Sequence, residues 1–324
     1  MKFYDLNNGT IQVQISDLGA KITCLLVPDK NGKVADIILG FATEEEWRTK
    51  ETYFNAIIGR FANRIKNAQF VLDGKTYHLP ANDRGNTLHG GIHGFNEKIW
   101  ELVEHDARHI RLHYLSVDGE EGFPGNLDMW VTYALTDDNA LSIEYEAQTD
   151  APTIVNFTNH AYFNLNGEAS PSVRDHVLQV FADAYTPFDD TSCPTGEILP
   201  VEGTAMDFRQ PQRISDRIDD PFFVPGRGID NNWVLPASKG LQLAAEVSAA
   251  GRTMQVWTTW PALQVYTGNF VEHNVGKSGT TYCPQNAICL EAQNSPDAIN
   301  HANFPSPILR PGELFRKQTI YKFL

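Results

Sequence analysis

The 324-residue sequence predicts an all-β protein, one large antiparallel β-sandwich with few short helices. Three observations predict it. Short apolar stretches with strand periodicity recur along the whole chain. Turn dipeptides of the Asx-Gly kind stand between several of them. No amphipathic helical pattern persists for three turns. No repeat, low-complexity tract or composition shift divides the chain, so residues 1–324 read as a single domain.

The elements follow in order. IQVQIS (11–16) alternates strictly, with Ile11, Val13 and Ile15 on one face; KITCLLV (21–27) follows it, and Asn31-Gly32 supplies the turn beyond. TEEEWRTKE (43–51) has the composition of a short helix with Thr43 as its cap. FVLDGKTYHL (70–79) is a hairpin with Asp73-Gly74 at its tip. Further strands are expected at 100–104, 109–117, 127–136, 140–149, 152–158, 176–181, 241–248, 252–258, 262–268, 286–291 and 314–323. Asp118-Gly119 and Asn166-Gly167 supply turns between them, and 209–218 holds a helical turn or two.

Composition narrows the partners. A net charge of −14 argues against nucleic acid and anionic membranes, which select a basic face. MKFYDLNNGT has no apolar core of the kind that signal peptides carry, and no run of 18 apolar residues occurs. The cysteines Cys24, Cys193, Cys283 and Cys289 are scattered without a CxxC, which fits free thiols in a cytoplasmic protein. A monomer and a homodimer are both compatible with the chain.

Polar loops carry the candidate chemistry. In AICLEAQNSPDAIN, an apolar stretch delivers Glu291 to a polar loop. That is either an ordinary acid at a strand end or a general base whose pKa is raised by apolar neighbours. His160, in TNHAYFNLNG, follows the apolar TIVNF in the same way, with Asn159, Tyr162 and Asn164 beside it. It is either structural or a general acid with a pKa near neutrality. GRFANRIKNA (59–68) places Arg60, Asn63 and Arg64 together. Arg60 reads as a structural ion-pair residue, whereas Asn63 and Arg64 can present hydrogen bonds to a polyol.

NTLHGGIHGFNEKIW (86–100) has glycines that let backbone approach a ligand. Its His89 and His93 are four apart, but the glycines preclude a steady helix and no third ligand is evident, so no metal site is expected. His89 is a ligand contact or a turn stabiliser. In GRGIDNNWVL (226–235), Asp230 forms an Asx turn or accepts from sugar hydroxyls, with Trp233 as an apolar platform. A phosphate-cradling loop, a dinucleotide fingerprint, a GxSxG elbow and an HExxH pair are all absent from the sequence. No cofactor is expected. An acid/base set among uncharged polar groups suits a neutral polyhydroxyl substrate.

Taken together, these segments resemble the aldose 1-epimerase, or galactose mutarotase, family over essentially the whole chain. GRFANRI resembles its Asn-Arg motif, NTLHGG its first histidine motif, EEGFPGNL (120–127) its central loop and TNHAYFNL its second histidine motif. PTGEILPVEGTAMDFR (194–209) is similar to the connection that follows. GIDNNWVL is similar to the Asp motif, PALQVYTGNF (261–270) to the Gln motif, and LEAQNSPDAINHANFPSPILRPGE (290–313) to the terminal Glu motif. The resemblance implies a galactose mutarotase-like supersandwich acting on a free monosaccharide without cofactor. It implies Glu291 as catalytic base, His160 as catalytic acid, and Asn63, Arg64, His89, Tyr162, Asp230 and Gln264 as the sugar-holding groups.

The chain departs from the family pattern at Ser295, where an aromatic residue is common, at Asn231-Asn232 and at Asn96. These departures leave the preferred sugar open. A silent sugar-binding module, a mutarotase specialised for a pentose, an epimerase of phosphorylated hexoses using Arg84 as the spare cation, and a lyase or a glycosidase with Asp230 as second carboxylate are the alternatives.

Overall fold

The computed structural model describes residues 1–50, 53–271 and 273–324. Within them, every pairing between strands is antiparallel. A nine-stranded sheet is built from Glu101–His105, His109–Ser116, Leu127–Leu135, Ala140–Thr149, Phe315–Phe323, Arg252–Thr258, Gln242–Ala249, Val177–Val180 and Gln212–Arg213, in that spatial order. A five-stranded sheet runs Leu199–Pro200, Ala184–Thr186, Asp230–Val234, Ala262–Tyr266, Cys289–Gln293. A four-stranded meander covers the N-terminal residues from Phe3 to Asp36. The expected antiparallel β-sandwich is what the chain forms.

Alternation explains how the sheets meet. Leu127, Met129, Val131, Tyr133 and Leu135 are buried on one face of their strand, with partly exposed residues between them. They share one core with Trp233, Leu263, Val265, Leu290 and Ala292 of the five-stranded sheet. The Tyr321 hydroxyl donates to the Leu290 carbonyl at 3.2 Å, tying the last strand of the large sheet to the strand that holds Glu291.

That core uses only one face of the five-stranded sheet. The register pairs Asn232 with Gln264 and Gln264 with Glu291, and pairs Asp230 with Tyr266. Directly opposed residues share a face, so Asp230, Asn232, Gln264, Tyr266 and Glu291 all project away from the apolar core. A row of polar side chains thus crosses a buried sheet.

Several sequence expectations shift here. The strand expected at 286–291 spans Cys289–Gln293 instead, so Glu291 lies in mid-strand rather than at its exit. Leu290 and Ala292 face the core while Glu291 and Gln293 face the polar side, a period-2 pattern hidden by the apolar run before it. The segment 152–158 forms two short pairings, Thr153–Ile154 and Thr158–Asn159, not one strand. Phe3–Asn7 is a strand the pattern did not reveal. The short helix is present at Glu44–Thr49, where Thr43 and Glu46 form a reciprocal capping box. The helical turn in 209–218 is a single 3-10 turn, Ile214–Asp216. All cysteines are free thiols.

Candidate active site

A cavity of about 540 Å³ opens over the polar face of the five-stranded sheet. Glu291, Asp230 and Tyr266 rise from the sheet as its floor. His160 and Tyr162 enter from the chain just beyond Thr158–Asn159, a strand anchored by pairing with Ile57–Ile58. The loop after Ile57–Ile58 brings Asn63 and Arg64, and Arg64–Ile65 pairs with Thr87–Leu88, which places His89 beside them. Tyr53, Asp83, Arg84, Arg227 and Phe270 complete much of the wall.

The sheet and the loop converge at Glu291 and His160. His160 Nε2 lies 3.6 Å from Glu291 Oε1, and the side chains are 6% and 2% exposed. His160 is held in an aromatic cage. Its ring stacks on Tyr162 with centroids 4.9 Å apart, lies parallel to Tyr53, and meets His89 and Tyr266 edge-on. Those rings exclude the water that would solvate an imidazolium, and burial holds the His160 pKa down at about 4. Burial pushes the Glu291 carboxyl well above the usual range, and the nearby Asp230 charge adds to the rise. Both shifts favour neutral groups, so the resting pair holds one proton between carboxyl and imidazole.

His89 has its tautomer fixed by backbone. The Asn63 N–H can only donate, and it points at His89 Nδ1 at 3.2 Å, so the neutral ring carries its proton on Nε2. Burial and the nearby His160 and Arg64 hold His89 well below its ordinary pKa, which preserves that neutral donor. The His89 N–H returns a bond to the Asn63 carbonyl at 3.1 Å, locking the two loops together. Arg64 Nε donates to Asp83 Oδ2 at 2.7 Å, which fixes the guanidinium in the wall.

Of the sequence-predicted site residues, Glu291, His160, Asn63, Arg64, His89, Tyr162 and Asp230 line one cavity. Gln264 does not. Its amide donates to Asp230 Oδ1 at 2.7 Å from beneath, so it orients Asp230 rather than the cavity itself. Trp233 is not a platform: three residues from Asp230 on a strand, it faces the opposite way, fully buried, with its indole N–H on the Met206 carbonyl. Arg60 is structural, but its partners are not carboxylates. The buried guanidinium donates to the carbonyls of Pro124, Gly125 and Ser116 and to the Ser116 and Thr153 hydroxyls.

The glycines of the 86–100 segment make room for the protein itself: a Cβ on Gly90 would sit 2.0 Å from the Gly59 carbonyl oxygen, and one on Gly91 would meet the Glu121 side chain. His93 is exposed beside Glu97, away from His89. Arg84 lines the cavity and reaches Ser192. Ser295 and Asn232 lie below the cavity, joined by a 3.3 Å hydrogen bond. Among the described residues, no group of three or more His, Cys, Asp or Glu is placed to hold a metal ion.

Sequence reasoning missed Tyr53, Asp83, Tyr266, Arg227 and Phe270. Only Asp83, an acid next to the already noted Arg84, carried a local signal. The others come from loops and a strand where no periodicity marks a ligand-facing side chain.

A buried carboxyl and a buried imidazole, side by side in a polar cavity over one sheet of an antiparallel sandwich, fit proton-transfer chemistry on a small polar molecule. The aldose 1-epimerase family model matches residues 2–322, and the chain belongs to that family. It is similar to galactose mutarotase of Homo sapiens, 44% identical over 99% of this chain and 93% of that protein. Aldose 1-epimerase of Escherichia coli is 40% identical over 98% and 93%. Among solved structures, a GalM/aldose epimerase homologue from C. elegans superposes with a TM-score of 0.92 at 32% identity, covering 100% of this chain and 98% of that one.

Proposed function

We propose that this aldose 1-epimerase interconverts the α and β anomers of free aldohexoses, galactose and glucose among them, with Glu291 and His160 as its acid–base pair. The observation that carries the assignment is the 3.6 Å separation of His160 Nε2 and Glu291 Oε1. Ring opening removes a proton from the C1 hydroxyl and delivers one to the ring oxygen. Both oxygens are bonded to the same carbon, so the two groups that serve them must stand close together. Glycosidase carboxylates stand farther apart, at about 5–5.5 Å or more, across a scissile bond.

The proton balance is closed within the pair. Glu291, as carboxylate, takes the C1 hydroxyl proton while His160, as imidazolium, protonates the ring oxygen. The C1–C2 bond of the open aldehyde then rotates, and the transfers run backwards on the other face. The reactive form and the resting neutral form hold the same single proton, so the step needs no exchange with solvent. His89 Nε2–H and Arg64 supply donors to the developing oxyanion. Asp230, Asn63 and Tyr162 grip hydroxyls so that either anomer presents C1 to the pair, and Gln264 steadies Asp230.

The galactose mutarotase relatives support galactose as substrate. Free thiols and the absence, among the described residues, of a helix able to cross a membrane fit a cytoplasmic enzyme. Polarimetry on freshly dissolved α-D-galactose and α-D-glucose tests the function. Wild-type chain should accelerate the decay of rotation, and His160→Gln should lose about 10²–10⁴-fold of that acceleration. Galactose binding without acceleration by wild-type chain would instead identify a silent sugar-binding protein.

A further inference from the structure

The acid, the base and the sugar-gripping groups arrive on three separate segments, and a catalytic geometry needs them fixed relative to one another. We infer that Asn156 and Asp297 are positioning residues of mutarotation, a staple that holds the Asn63–Arg64 segment in register with Glu291 and His160. The inference rests on the acid–base assignment above.

Asn156 lies four residues before His160 and is fully buried. Its N–H donates to the Arg60 carbonyl at 3.1 Å, and its carbonyl accepts from the Ala62 N–H at 2.7 Å. Its side-chain amide donates to the Ala62 carbonyl at 3.0 Å and to the Asn294 carbonyl at 3.3 Å. Its Oδ1 accepts from the Asn294 N–H at 2.8 Å. One side chain therefore joins the His160 segment, the loop just before Asn63, and the chain three residues beyond Glu291.

Asp297 closes the other end. It is fully buried with φ at +56°. Its N–H donates to the Arg64 carbonyl at 2.8 Å, and its Oδ1 accepts from the Lys66 N–H at 3.0 Å and from Asn300 at 2.7 Å. His301 Nε2 stands 3.2 Å from Oδ2. The 60–66 segment is thus gripped on both sides of Asn63 and Arg64, each time by residues that follow Glu291 in the chain or that bond to them. Neither Asn156 nor Asp297 lines the cavity, so neither touches substrate.

A staple of this kind has its own kinetic signature. If it is cut, the gripping segment still binds sugar, but C1 is no longer in register with the pair. Misplacement by about 1 Å costs about 10²-fold in rate. The test measures kcat and KM for α-D-galactose by polarimetry for Asn156→Ala, Asp297→Ala and Asp297→Asn. The folded fraction at assay temperature comes from urea curves, and kcat is expressed per folded molecule.

Asn156→Ala and Asp297→Ala should lose about 10- to 100-fold in kcat with KM changed less than about 3-fold. Asp297→Asn, which keeps an acceptor for Lys66, should recover to within about 3-fold of wild type. Unchanged kcat per folded molecule in the alanine variants would overturn the inference, as would Asp297→Asn performing no better than Asp297→Ala. Should Asn156→Ala not fold, the two Asp297 variants decide the matter. Glu291→Gln run in parallel separates the two ideas: if it keeps full rate, the base assignment fails, whatever the staple variants do.

Discussion

The pH dependence of the rate reads the dry environment of His160 directly. In the structure the imidazole is stacked against Tyr162 and shut from water, and its pKa falls from 6.5 to about 4, a difference worth about 3 kcal/mol. In the proposed mechanism the pair works while it holds one proton. Below the His160 value it gains a second, both groups are then protonated, and nothing remains to accept the C1 hydroxyl proton. Above the raised Glu291 value it loses its only proton, and nothing remains to protonate the ring oxygen. The active window therefore extends downward on the acid side, because the His160 shift is downward, and upward on the alkaline side, because the Glu291 shift is upward.

At pH 5 a solvated histidine would be about 97% protonated, leaving about 3% of the enzyme active. With the pKa at about 4, roughly 90% stays active, a difference of about 30-fold. The assay is the initial polarimetric rate on α-D-galactose across pH, extrapolated to low substrate to give kcat/KM, with the uncatalysed rate subtracted and folding checked by circular dichroism. An acid limb near pH 6.5 in folded enzyme would refute the argument, because it would mean that the catalytic imidazole is solvated or is a different residue.

Three more outcomes follow from the same geometry. Glu291→Gln should be more stable than wild type, and increasingly so as pH rises. The folded carboxyl titrates well above its unfolded value, so the wild type is fully favoured below that unfolded value and loses stability as pH rises through the folded one; thermal melts at several pH values read this. Arg60→Met should cost about 3 kcal/mol or more in urea unfolding, since it strands the carbonyls of Ser116, Pro124 and Gly125 without their donor. Gln264→Leu should raise KM for galactose about 3- to 10-fold, and a cycle with Asp230→Asn should be non-additive, because Gln264 acts through Asp230; additive losses would show that it grips sugar itself.

Much of this architecture was legible in the chain because burial imposes a period. The alternation in Leu127–Leu135 and the Asp73-Gly74 hairpin appear as expected, and the two loops that carry His160 and Asn63–Arg64 stand out as polar exits from apolar segments. The misplacements around Glu291 and Trp233 share one physical cause: a polar row on a buried sheet. Glu291 looked like a strand end because the strand turns polar there, whereas Gln293 continues the same strand toward a polar chamber. Trp233 looked close to Asp230 in sequence, but an odd spacing on a strand sends it to the other face. Asn55 and Asn156 were invisible as organisers. Asparagine normally marks turns, and only tertiary structure shows these amides bonded to backbone from distant segments: Asn55 to Leu39 and Tyr162, Asn156 to Ala62 and Asn294. The cavity's aromatic wall at Tyr53 and Phe270 comes from loops whose order no local pattern encodes.

The central claim is that one buried carboxylate moves the anomeric proton. Its most direct test is polarimetry on α-D-galactose with Glu291→Gln, a substitution that keeps shape and burial but cannot accept that proton. The account predicts a folded protein with its catalysed rate down by about 10²–10⁴-fold. A Glu291→Gln enzyme that equilibrates the anomers as fast as wild type would contradict it.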